Sequence, residues 1–177
     1  MLRLLLLSAI VVLGSGLAHA VEVASNGFVV RHERIIRASP AQVYDALVGK
    51  VGSWWNPQHT YSGDSKNLSI DPHPGGCFCE RLPNGGVEHM RVIHLRRNEM
   101  VRLAGGLGPL QASGVSGSLT WRLLPVDNGS KLELTYSVGG FVAGGFESIA
   151  PAVERVLGEQ ADRLKRFVET GIPSEAK

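Results

Sequence analysis

The stretch FESIAPAVERVLGEQADRLKRFVET, residues 146–170, decides how the rest of this chain has to fold. Ile149, Val153, Val156, Leu157, Leu164, Phe167 and Val168 recur at helical spacing and make one apolar face. Gly171 and Pro173 stop the pattern, so the reading is one long amphipathic helix over Phe146–Thr170. Gln160 falls inside the apolar stripe; a polar amide there either bonds a neighbour or faces a wet cavity. Such a helix needs a broad apolar partner, which has to come from the residues before it.

Those residues read mostly as strand. Val23–Ile36 alternates loosely and is rich in Val and Ile, giving a first strand. Ser39-Pro40 then opens a helix, with Ser39 as N-cap, Pro40 at the first helical position and Val43, Tyr44 and Leu47 as its stripe. A second short helix or turn carries Trp54-Trp55. Further strands follow over Leu68–Ile70, Cys77–Leu82, Val87–Arg96, Glu99–Gly105, Gly117–Leu124 and Lys131–Val138. Asp127-Asn128-Gly129 joins the last two as a hairpin. The fold class is therefore α+β: a curved antiparallel sheet of about six or seven strands around the C-terminal helix, with two short helices after the first strand. A curved sheet gripping one helix leaves space that side chains do not fill, and that space is a pocket.

The order and four segments resemble the START-like helix-grip superfamily, also called SRPBCC, in its polyketide-cyclase and Hsp90-ATPase-activator-like branch. The segments are RIIRASPAQVYDALV (34–48), PGGCFCERLPNGG (74–86), VRLAGGLGPLQ (101–111) and GEQADRLKRFVE (158–169). The resemblance implies binding of a small hydrophobic or amphipathic molecule, lipid- or polyketide-like, between sheet and helix. It also implies an enzymatic alternative, a cyclase or dehydratase. It carries no invariant catalytic set to transfer.

Residues 1–20 have a positive start at Arg3, an apolar run from Leu4 to Leu17 and small residues at Ala18 and Ala20. This three-part pattern predicts a signal peptide cleaved after Ala20, with a retained anchor as the competing reading, and hence a periplasmic or secreted domain over 21–177. Export sets the chaperone-activator role aside. With Arg3 removed, a net charge of +2 becomes +1, and no basic block alternates with aromatics, so nucleic acid is not expected as a partner. No further apolar stretch of spanning length follows, and the oligomeric state is open. No Gly-x-Ser-x-Gly, His-Glu-x-x-His or Walker pattern is present, so no cofactor or metal is expected.

The chemistry-bearing candidates lie on the Cys77–Leu82 and Val87–Arg96 pair. A turn over Pro83-Asn84-Gly85-Gly86 sets Glu80 opposite His89 and Phe78 opposite Arg91, all on one face, with Cys77, Cys79, Met90 and Val92 on the other. Glu80 and His89 are the acid–base candidates, the carboxylate raising the imidazole pKa and fixing its tautomer. Ordinary cross-strand ion pairing is the leading reading of the two, with a ligand or catalytic role as the alternative. Ligand contacts are expected from Trp54, Trp55, His59, Phe78, Arg91, Gln111, Trp121, Tyr136 and Gln160, with His59 and Tyr61 over the opening. Two adjacent bulky aromatics cannot both point inward on a helix, so one of the two tryptophans is expected to line the entrance or lie exposed. Cys77 and Cys79 stand two apart on a strand, about 6.5 to 7 Å, near the limit for a disulfide. Two free, partly buried thiols are the leading reading, with a strained disulfide or redox pair as the alternative.

Overall fold

Ser39 starts the first helix as its sequence predicts. Its side chain accepts from the Gln42 backbone N–H while the Gln42 side chain returns to the Ser39 N–H, a capping box ahead of α1, Pro40–Gly49. The computed structural model describes residues 21–174; the segment 1–20 and the cleavage expected after Ala20 lie outside the described residues. A second helix, α2, covers Val51–Trp54, and the long helix, α3, covers Ala150–Thr170. α3 begins four residues later than its apolar pattern suggests, because Pro151 fits only its first turn; Gly171 closes it in the left-handed conformation, φ 79°.

Eight strands form one antiparallel sheet: β1 Val21–Ala24, β2 Gly27–Ile36, β3 Leu68–Ile70, β4 Cys77–Leu82, β5 Gly85–Arg96, β6 Met100–Ala104, β7 Gly114–Val126 and β8 Gly129–Phe141. Their order is β1-β2-β8-β7-β6-β5-β4-β3. The expected first strand is two strands, since the chain turns back at Ser25-Asn26 and pairs β1 with β2. β2 also pairs with β8 along its whole length, bringing the first and last parts of the sheet together.

Irregular pairing bends the sheet around β5. Register shifts occur against β4 at Phe78/Cys79 and against β6 between Val92 and His94. Bulges of this kind bend the strand that carries them. The β4–β5 turn is only Pro83-Asn84, so Leu82 pairs with Gly85 and Glu80 with Val87, two residues from the expected register. The partner then steps from Glu88 (opposite Cys79) to Met90 (opposite Phe78), leaving His89 as the extra residue.

The helix α3 lies chiefly over β2. The Arg34 guanidinium grips the Asp162 carboxylate with two bonds, Nη2–Oδ2 at 2.9 Å, and His32 Nε2 contacts the Glu154 carbonyl at 2.9 Å. Gly158 permits this approach, because a Cβ there would stand 2.8 Å from the His32 ring. Trp54 and Trp55 are both buried, although only one was expected to turn inward. The helix ends between them: Trp55 has extended backbone, φ −62° and ψ 144°, so consecutive rings escape helical geometry and both turn in.

Gly117 on β7 makes room for the ring of Tyr136. A Cβ at Gly117 would lie 2.6 Å from Tyr136 Cε2 and 2.8 Å from the Ser137 carbonyl oxygen. Gly117→Ala is therefore expected to destabilise the fold by about 1–3 kcal/mol through overpacking. Urea unfolding monitored by tryptophan fluorescence measures it; an unchanged midpoint would contradict the packing described.

Candidate functional site

The inner face of the sheet is filled unevenly. Near α1, Trp54 packs against Trp121 at 6.0 Å between ring centroids, and its indole N–H bonds the Ala46 carbonyl. On the other side of Trp55 the filling stops. A cavity of about 330 Å³ opens there, floored by Trp55, Leu68, Phe78 and His89. Its roof is the first two turns of α3 with the residue before it, Ile149, Ala152, Val153, Val156 and Leu157. Leu107–Leu110 closes one side and Gln58–Tyr61 the other.

Each wall is held in place by identifiable bonds. Tyr136, whose hydroxyl is pushed up to about 12 by burial, accepts from the Leu107 N–H at 2.9 Å and donates to the Gly105 carbonyl at 3.0 Å. It thereby fixes the Leu107 loop without lining the cavity itself. Opposite, the Asn56 N–H donates to Gln160 Oε1 at 2.9 Å, and the Asn56 side chain donates to Glu159. His59 Nε2 meets the second Glu159 oxygen at 3.0 Å, and Trp55 Nε1 bonds the His59 carbonyl at 3.1 Å. The 55–61 segment is thus strapped to α3.

One buried polar pair reaches the floor. Glu80 and His89 have side chains 0% and 4% exposed, joined through Nε2 and Oε2 at 3.0 Å. Glu80 also accepts the backbone N–H groups of Tyr61, at 3.0 Å, and of Ser62. Burial raises the Glu80 pKa, but the bonds from Ser62, Tyr61 and His89 outweigh it and hold the carboxyl below its ordinary value. His89 goes the same way for the opposite reason. Burial lowers its pKa by more than Glu80 raises it, so the imidazole is neutral near pH 7, contrary to the raised value expected. The Tyr61 ring stacks on His89 at 5.8 Å and 24° between planes, and the Phe78 ring lies 5.2 Å from it, tilted by 40°.

The structure therefore brings together Trp55, His59, Phe78 and His89 around one cavity, with Glu80 behind His89. The remaining candidates lie elsewhere. Trp54 and Trp121 are core. Tyr136 and Gln160 act on the walls from outside, and Gln111 donates to the Glu88 carbonyl. Arg91 was expected beside His89, but the extra residue turns it to the outer face, where it pairs with Glu88 and bonds the Gly75 carbonyl at 2.8 Å. Met90 and Val92 point inward instead. The same irregularity brings the Cys77 and Cys79 Cα atoms to 5.3 Å, and the two form a disulfide, not the free thiols favoured by regular strand spacing. The helix residues lining the cavity read in the sequence only as a core stripe.

Residues 28–169 match the model of the polyketide cyclase / dehydrase and lipid transport family, and the chain belongs to that family, within the SRPBCC superfamily. Solved structures share its fold. A protein of unknown function from Enterococcus faecalis has a TM-score of 0.63 at 16% identity, covering 89% of this chain and 81% of its own. The Aha1 dimer from Colwellia psychrerythraea has a TM-score of 0.61 at 21% identity, covering 81% of this chain and 97% of its own. An uncharacterized protein from Rhizobium leguminosarum follows with 0.61 at 18%, covering 84% and 96%. At these identities the likeness is one of fold. No curated protein matches the sequence.

Both members of the buried pair titrate below their ordinary values, so as pH falls the unfolded chain takes up protons before the folded one does. Their contribution to stability is complete above the ordinary His value of 6.5 and is lost progressively on acidification through the depressed values. The urea midpoint is expected to be flat above neutrality and to fall below it, with His89→Phe removing the part of the decline nearest neutrality. A midpoint that rises on acidification to pH 6 would contradict a neutral His89.

Proposed function

We propose that this domain binds one small hydrophobic or amphipathic molecule in the cavity between α3 and the β3–β5 end of the sheet. The carrying observation is a cavity of about 330 Å³ lined by Trp55, Phe78, Leu107, Val153 and Val156, with His89 and a few rim groups as its polar atoms. A concave, largely apolar space with few polar groups is the usual form of a small-ligand site, whose volumes begin at about 300 Å³. Membership of a cyclase and lipid-transport family supports the same reading. Among the described residues no helix is long and apolar enough to cross a membrane.

The buried Glu80–His89 pair also supports a second reading, an enzyme of cyclase or dehydratase type. Only His89 touches the cavity; Glu80 accepts bonds on both oxygens and is placed to orient the ring, not to exchange protons with a guest. The catalyst would therefore use His89 as its base, with Glu80 as a positioning residue. Ala152→Trp is expected to fill the cavity and abolish binding of an apolar fluorescent probe while leaving the unfolding free energy, from urea titration, within about 1 kcal/mol of the parent. Full binding by that variant would remove the cavity from consideration. Turnover lost in His89→Phe with ligand affinity kept would decide for the enzyme.

We propose further that the domain is exported. The support is the signal-like pattern of residues 1–20 and a Cys77–Cys79 disulfide, which persists in oxidising compartments. Protein recovered outside the cytoplasm should begin at Val21 and contain no alkylatable thiol by mass spectrometry. Cytoplasmic material with Met1 intact and two labelled thiols would overturn the proposal.

A further inference from the structure

The Cys77–Cys79 disulfide encloses a single residue, Phe78. A crosslink stabilises mainly by restricting the unfolded chain, and the effect grows with the length of the loop enclosed. A loop this short restricts very little, so the bond contributes little to keeping the domain folded. What it holds is local. The Cys77 and Cys79 Cα atoms stand 5.3 Å apart, where a regular strand sets them about 6.5 to 7 Å apart.

The residue between them bears the consequence. Cys79 lies on the outer face of β4 beside Ser69 and Glu88, Cys77 lies there beside Arg91, and Phe78 turns to the inner face, where it is buried. Drawing the two outer residues together deepens the pleat and carries the middle one toward the other side. That side is the cavity floor. The Phe78 ring lies 5.6 Å from Trp55 and 5.2 Å from His89, and all three line the space. The bond is also open to reagents: both cysteines are only half-buried, and Cys79 lines an outer groove with the exposed residues Lys66, Ser69, Arg81 and Glu88.

We infer that Cys77–Cys79 is an exchangeable bond that sets the shape of the cavity floor, with a dithiol as the reagent that opens it. The inference rests on the cavity being a ligand site, as proposed above, and names how that site is regulated. One thiolate of the dithiol attacks Sγ of Cys79 from the groove, forming a mixed disulfide and breaking the Cys77–Cys79 bond. Cys77 leaves as a thiolate and takes up a proton. The second thiolate of the reagent then attacks the reagent's own sulfur in the mixed disulfide, Cys79 leaves in the same way, and the reagent departs as a cyclic disulfide. Two electrons and two protons have passed from the dithiol to the protein. With the bond open, β4 extends toward regular spacing and Phe78 withdraws from the floor. In an oxidising compartment the closed form is the resting one.

Both states of the parent protein carry the test. Dithiothreitol without denaturant should open the bond, so that iodoacetamide labels both cysteines while far-UV circular dichroism is unchanged. In ¹H–¹⁵N spectra of the unlabelled thiol form, the indole N–H signal of Trp55 should move on reduction, because the Phe78 ring beside it moves. That of Trp121, which packs on Trp54, should stay. The neutral probe N-phenyl-1-naphthylamine should bind the reduced protein about fourfold more weakly, the worth of about one methylene of lost contact. Cys77→Ser combined with Cys79→Ser should bind like the reduced parent, with or without dithiothreitol. Labelling that requires denaturant, a Trp55 signal that does not move, or equal binding by the two states each overturns the inference. A probe that binds neither state while the Trp55 signal moves removes the ligand-site reading, and regulation with it, but leaves the hold of the bond on Phe78 standing.

Discussion

The pairing of β4 with β5 has to absorb one more residue on β5 than on β4, and that residue is His89. In a regular pair successive side chains alternate between faces, so His89 and Met90 could not both point inward. With the extra residue they do, and both are buried. As far as the second irregularity, after Val92, the strand's faces are exchanged, which is why Arg91 pairs with Glu88 outside and Val92 is core. On β4 the same place brings Cys77 and Cys79 within disulfide reach. A bend, a buried imidazole and a covalent clasp thus share one origin in the strand register, and the cavity lies at that bend.

The two halves of α3 do different work. The half containing Gln160, Ala161 and Leu164 is buried where Trp54 and Trp121 fill the sheet, and Arg34 fixes it through Asp162. The half containing Val153 and Val156 spans the gap, whose floor is Trp55 from the end of α2 with Leu68, Phe78 and His89 from the sheet. A helix anchored at one half can roof a hollow at the other without collapsing into it. The straps from Glu159 and Gln160 to the 56–59 segment make the roof and one wall a single unit.

The sequence pattern carries the parts of this arrangement that depend on local rules. The stripe from Val153 to Val168 identifies α3, Ser39-Pro40 places α1 to the residue, and Asp127-Asn128-Gly129 locates the β7–β8 turn. Alternation alone puts Phe78 and Glu80 on one face of β4, and both are buried. What the pattern does not carry is tertiary. Nothing in GGVEHMRVIHLR marks His89 as an extra residue, since either neighbour could take that place without altering composition. Pro83-Asn84-Gly85-Gly86 fits a four-residue turn as readily as the two-residue one formed, and that choice moves the register by two. The partners of Glu80, the backbone of Tyr61 and Ser62, come from a loop whose path depends on Trp54 and Trp55 both turning inward. The cavity residues of α3 share the stripe of its core residues, and no local signal separates a side chain that meets another from one that meets space.

A hollow lined by hydrocarbon exerts pull on any apolar molecule of suitable size, so its selectivity has to come from the few polar atoms it exposes. An exposed carboxylate would attract water and cations and keep the hollow wet. Here Glu80 is covered by two backbone donors and by His89, so its charge orients the ring without entering the space. The imidazole in turn is kept neutral by burial, so the ring that lines the cavity brings no charge to it. The bend that turns His89 inward therefore places the hollow and a neutral polar ring at the same end of the sheet.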